Sequence, residues 1–138
     1  MVDAVRVQRL LRHLVDTIGY LEAEAAVDSQ TRRQRRWLDS IKYNVVVAIE
    51  AAIDIGQHLC ATEGWGPPDT NGDVFRLLGS HHVLSADLAA SLVQANGFRH
   101  VLVHDYVAVR DDLVIANLDR TSDWRAFASA VAEWMTSN

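Results

Sequence analysis

Arg99, His100, His104 and Tyr106 fall within one short run, RHVLVHDY, together with Asp105 and three aliphatic residues. Arg99 stays cationic and presents a planar fork of donors that suits a phosphate or carboxylate. His104 belongs to the residue type that titrates near neutrality, so it can accept or donate a proton. On a helix, His100 and His104 form an i, i+4 pair, and Tyr106 falls beside Arg99. The aliphatic residues Val101, Leu102 and Val103 spread around the same helix instead of forming one stripe, as in a buried helix. Two readings stand. The run is a core segment whose polar groups find partners, or it is a reactive centre. A buried polar group left without a partner costs about 1–3 kcal/mol. A cleft between two subunits would bury the aliphatics and keep the imidazoles reachable.

The rest of the chain supplies helices to hold this run. The 138 residues, 49% of them hydrophobic, suit one domain over 1–138 with a real core and exclude a disordered chain. Residues 2–27 carry Val2, Val5, Leu10, Leu11, Leu14, Val15, Ile18 and Leu21 at helical spacing. A turn over 28–31 follows, and Thr31 with Gln34 fits a capping box opening a second helix over Thr31–Glu63. GWGPPD, at 64–69, ends it. A short helix is expected over 73–78. Ser85 should cap another helix running through Ala95, with Asp87 near its positive end. Asn96-Gly97 either interrupts that helix or is tolerated at a point of close packing. A last helix, after Thr121-Ser122, carries Trp124, Phe127, Val131 and Trp134. A strand over 101–109 is the weaker reading of the β-branched residues there. The expected fold is an all-α, up-and-down antiparallel bundle.

Composition narrows the partners. Net charge is −5, which does not advertise nucleic-acid binding, so contact with RNA or DNA would need a local basic patch. RRQRR provides one, with Arg32, Arg33, Arg35 and Arg36; it is equally a solvated helix face or a surface for an acidic partner. The single cysteine, Cys60, rules out an internal disulfide, suggests a reducing compartment and reads as packing. No secretory signal and no run of 18 or more apolar residues is visible, so a cytoplasmic protein with no membrane contact is expected. Glu50, Asp54 and His58 make an i, i+4, i+8 stripe that could line a metal site, but the second Glu-x-x-His helix of a di-iron bundle is missing and Asp54 can pair with His58. His81-His82 reads as a loop or helix start. Neither a metal nor a cofactor is expected.

The spacing Arg99-x4-His104-x-Tyr106 resembles the R-x4-H-x-Y motif of HepT-like toxins of the HEPN superfamily. Gly97-Phe98 before it is similar to that family, and so is AIEAAIDIGQHL, at 48–59, with its DIxxH core. One departure is His100, where many relatives have Asn. The resemblance implies a metal-independent endoribonuclease that acts as a dimer, with His104 as general acid or base and Arg99 clamping the phosphate. His100 and Asp54 are candidate supporting residues. The resemblance also implies a nucleotidyltransferase antitoxin that transfers AMP to Tyr106, in a type VII-like toxin–antitoxin pair. The alternative is a non-catalytic HEPN-like module that holds such a nucleotidyltransferase. The RNA target is not legible in the sequence.

Overall fold

The computed structural model describes residues 1–104 and 110–138. All regular structure among them is helical: α1 (Ala4–Glu24), α2 (Arg35–Glu63), α3 (Asn71–Ser80), α4 (Ala86–His104), α5 (Asp111–Ala116) and α6 (Thr121–Ser137), with 3-10 turns at Thr31–Arg33 and Asn117–Arg120. The expected all-α, up-and-down bundle is what forms. Tyr106 and most of the segment considered as a strand lie outside the described residues, whereas residues 101–104 are helical.

The long α2 is the central element. Its buried residues include Trp37, Ile41, Val45, Ile49, Ala52, Ile53, Gly56 and Leu59, and α1, α3, α4, α5 and α6 all pack against it. By length and composition α2 could cross a membrane, but most of its aliphatic residues are buried against the other helices. Antiparallel α1 is tied to α2 along its length. The Asp3 amide donates to His58 Nε2 at 3.0 Å, Tyr20 and Ser40 share a hydrogen bond of 2.5 Å, and Trp37 Nε1 donates to Glu24 at 2.9 Å. Beside α1 runs α6, fastened by a two-pronged bond from Arg125 to Glu22 at 2.8 and 2.5 Å.

Two small residues allow α3 to nest. A Cβ built on Gly56 would lie 2.2 Å from Val74 Cγ1, so α2 and α3 meet there with no room for a side chain. One built on Gly79 would lie 2.8 Å from Ala89 Cβ, at the crossing of α3 and α4.

Helix ends differ from the sequence reading where a local hydrogen bond wins. The proposed Thr31–Gln34 capping box does not form. Asp28 Oδ1 accepts from the Thr31 amide at 2.7 Å, and residues 31–33 close a 3-10 turn. Gln34 is then extended, and α2 starts at Arg35 instead of Thr31. A capping box forms instead at Thr70 and Asp73, which starts α3 at Asn71. Ser85 caps α4 as expected, its Oγ accepting from the Leu88 amide at 3.1 Å. That helix continues through Asn96-Gly97 to His104. A Cβ on Gly97 meets nothing within 4 Å, so close packing is not why glycine is tolerated there. The expectations missed α5.

These two glycines should respond with opposite signs. Gly56→Ala forces Val74 to move in a filled core and should destabilise the protein by about 1–3 kcal/mol. Gly97→Ala fills open space in a helix and should stabilise it by about 0.5–1 kcal/mol. Chemical denaturation of the two variants measures both.

Candidate functional site

The site is built on the last turns of α4 against the middle of α2. Arg99 reaches across to Glu50: its Nε donates to Glu50 Oε1 at 3.0 Å, and its Nη2 bonds the same oxygen. The arginine side chain is 17% exposed and the glutamate 44%, so the pair sits at the rim of the bundle, with the cation the more covered partner. Glu50 thus fixes the guanidinium through two of its nitrogens. Among the described residues the third meets no carboxylate, and its donors suit an incoming anion.

His100 and His104 follow on the exposed side of the same helix. Their rings lie 4.3 Å apart between centroids, tilted by 46°. The i, i+4 pair read from the sequence is therefore formed, and both imidazoles reach solvent. Of the three aliphatic residues between them, Leu102 is fully buried, whereas Val101 and Val103 are 43% and 47% exposed. Within the chain, then, the run is not buried all round. It combines one anchoring leucine, a cation braced by a carboxylate, two exposed imidazoles and two exposed valines. Such a constellation can bind an anion at Arg99 and exchange protons beside it.

The stripe on α2 is dispersed among separate partners. Glu50 goes to Arg99, and His58 Nε2 accepts the amide of Asp3, the residue capping the start of α1. His58 is thus engaged by a backbone donor, not by the Asp54 carboxylate suggested by the sequence. Among the described residues, no three His, Cys, Asp or Glu side chains gather as a metal site. Asp54 stays on the α2 surface. Packing around its carboxyl, and then the neighbouring Glu50, push its pKa above the usual carboxylate range, while Arg6 on α1 opposes them.

The basic run divides. Arg32 Nη2 donates to the Ala25 carbonyl at 2.5 Å and its guanidinium lies 5.8 Å from the Trp37 ring centroid, so it closes the end of α1. Arg35 pairs with Asp39 at 3.5 Å. Arg33 and Arg36 are exposed. All stand near the start of α2, so that even Arg36 is about 20 Å from Glu50 along the helix axis, at 1.5 Å per residue. His81 is also away from the site, stacked on Trp65 at 4.5 Å. The residue that sequence reasoning misplaced is Glu50, which was considered only as a metal ligand. The helical stripe marked the correct face of α2 but not the cation that meets it.

Comparison with known proteins places the chain in a context. The Ribonuclease HepT-like family profile matches residues 10–131. The mRNA nuclease HepT of Shewanella oneidensis is 31% identical over 87 residues, which are 63% of this chain and 65% of that protein. The tRNA nuclease HepT of Aphanizomenon flos-aquae is 37% identical over 57 residues, 41% of this chain and 39% of that one. The aligned stretches thus span less than two thirds of either relative. In fold, the chain is similar to the tri-AMPylated HEPN toxin of Shewanella oneidensis solved in complex with MNT antitoxin. Its TM-score is 0.85 at 23% identity, covering 92% of this chain and 96% of that one. It is also similar to YutE of Bacillus subtilis, a cytosolic protein of unknown function, with a TM-score of 0.86 at 13% identity, covering 99% and 92%.

The raised carboxyl of Asp54 gives a test with a defined sign. A carboxyl raised in the folded state adds relative stability below the unfolded pKa and loses it as pH rises through the folded value. Asp54→Asn removes that loss. The variant should melt higher than the parent near neutral pH, with the difference vanishing below the ordinary carboxylate range; thermal melts across pH check it.

Proposed function

Because the chain belongs to the Ribonuclease HepT-like family, we propose that it is a metal-independent endoribonuclease, the toxin half of a toxin–antitoxin pair acting on RNA in the cytoplasm. The observation that carries this reading is the pairing of Arg99, braced by Glu50, with exposed His104 at the end of the same helix. RNA brings its own nucleophile, the 2′-OH. Cleavage then needs a group to take the 2′ proton and a cation to balance charge on phosphorus. His104 takes the proton. Arg99 donates to a non-bridging oxygen, held in place by Glu50 so that little ordering is left to do on binding. The products are a 2′,3′-cyclic phosphate and a 5′-OH. Arg33 and Arg36, exposed at the start of α2, add salt-dependent phosphate affinity.

A homodimer completes the site. Val101 and Val103 are large apolar residues left exposed beside the imidazoles. A C2 partner would cover them and set two copies of Arg99 and His104 along one groove. Tyr106 is the acceptor for AMP from a nucleotidyltransferase antitoxin. This assignment rests on its place in the R-x4-H-x-Y motif and on the likeness to an AMPylated toxin bound to its antitoxin. A nucleotide phosphate at Tyr106 would compete for Arg99 and keep RNA out.

Two experiments check this reading. The purified protein should cut RNA in the presence of EDTA, and His104→Ala should abolish cutting. Cleavage that persists in the variant would mean another site or a contaminant. Incubation with a nucleotidyltransferase encoded beside this chain and ATP should add AMP to Tyr106, read by mass spectrometry, and abolish cleavage. No added mass would remove this mode of neutralisation. If the chain were only a module holding the nucleotidyltransferase, expressing it alone would leave growth untouched.

A further inference from the structure

The reaction proposed above moves two protons, and a single His104 accounts for only one of them; the other comes from the second His104 of the proposed dimer or from a further group of the same chain. The 2′ oxygen must lose a proton as it attacks phosphorus. The 5′ oxygen must gain one as it leaves, because an alkoxide is a poor leaving group. Arg99 cannot supply the second proton, since a guanidinium does not deprotonate under these conditions. Glu50 is committed to Arg99. Lys42 lies on α2, paired with Asp111 at 3.5 Å. The remaining described histidines are elsewhere in the fold: His13 on α1, His58 against the Asp3 amide, His81 stacked on Trp65, and His82 beside it in the turn that follows α3.

His100 is differently placed. It is exposed, one helical turn before His104, with the two rings 4.3 Å apart between centroids. It directly follows Arg99, the group that would grip the phosphate. We propose that His100 is the general acid of cleavage, protonating the departing 5′ oxygen while His104 takes the 2′ proton. This rests on the nuclease reading and adds a catalytic residue to it. The step balances within the pair. The 2′ O–H proton passes to neutral His104, the 2′ oxygen bonds to phosphorus, the bond from phosphorus to the 5′ oxygen breaks, and that oxygen takes the proton of protonated His100. His104 ends protonated and His100 neutral, and exchange with water restores both. Position 100 thereby carries a group with a proton to give, where an asparagine side chain would have none.

A substrate with sulfur in place of the bridging 5′ oxygen separates this role from a structural one. A thiolate leaves without protonation, so losing the acid matters little for that linkage. An RNA oligonucleotide whose wild-type cleavage position has been mapped is made with oxygen or sulfur at that linkage. His100→Asn should slow cleavage of the oxygen linkage by about 100-fold or more, yet change cleavage of the sulfur linkage by less than about tenfold. His104→Ala should slow both. Equal losses on the two linkages, or no loss on either, would overturn the assignment of His100 while leaving the nuclease reading intact. A wild-type protein that cuts neither substrate would overturn the nuclease reading itself. Since His100 is exposed, the variant should keep the parent's circular dichroism spectrum and melting temperature.

Discussion

The enclosure of α2 is the constraint from which the rest of the structure follows. Ala51, Ala52 and Ile53 are consecutive and all buried, as are Ile55 and Gly56. Consecutive residues on a helix face different ways, so burial of such a run requires cover on several sides. The other helices supply it, and the closest approach is set where Gly56 leaves no space beneath Val74. Several polar groups along α2 meet partners on the helices that cover it: His58 takes the amide of Asp3 at the start of α1, and Glu50 takes Arg99 of α4.

That second pairing determines how the site is organised. A long arginine side chain on a surface helix ordinarily samples many rotamers, and fixing it costs conformational entropy. Here the cost is met on folding, by a carboxylate planted on the most enclosed helix of the bundle. The imidazoles are exposed on α4 to either side of Leu102. The arrangement separates a rigid anion-binding element from two reachable proton-transfer groups. It also explains how RHVLVHDY can be polar and apolar together. Leu102 roots the turn, Arg99 turns inward to Glu50, and the other described residues of the run face outward.

Much of this was legible in the sequence, and what was not has identifiable physical causes. Apolar spacing located α1 and α2, the Ser85 cap with Asp87 located α4, and Thr121-Ser122 with the aromatic spacing after it located α6. Their ends were less legible. Thr31-x-x-Gln34 and Thr70-x-x-Asp73 both have the shape of a capping box, but the first was pre-empted by the Asp28 carboxylate three residues upstream of Thr31. The short α5 buries only Val114 and so leaves too little periodicity to read. Gly97 looked like an interruption because glycine is a poor helix former, yet one such residue does not outweigh the packing of Leu92, Ala95 and Leu102 around it. Within the site, the His100–His104 pair followed directly from spacing. The Arg99–Glu50 bond did not, since it joins residues far apart in the chain and depends on the crossing of two helices.

The deep burial of Cys60 has a practical side. It is the chain's single thiol, 1% exposed on the enclosed helix, and burial raises its pKa so that little thiolate forms. A thiol-directed reagent can therefore reach sulfur only when neighbouring helices separate from α2. The rate of alkylation is a clock for opening of the interior, set by the free energy of that excursion. The molecule thus carries its own label for breathing motions, with no engineered cysteine needed.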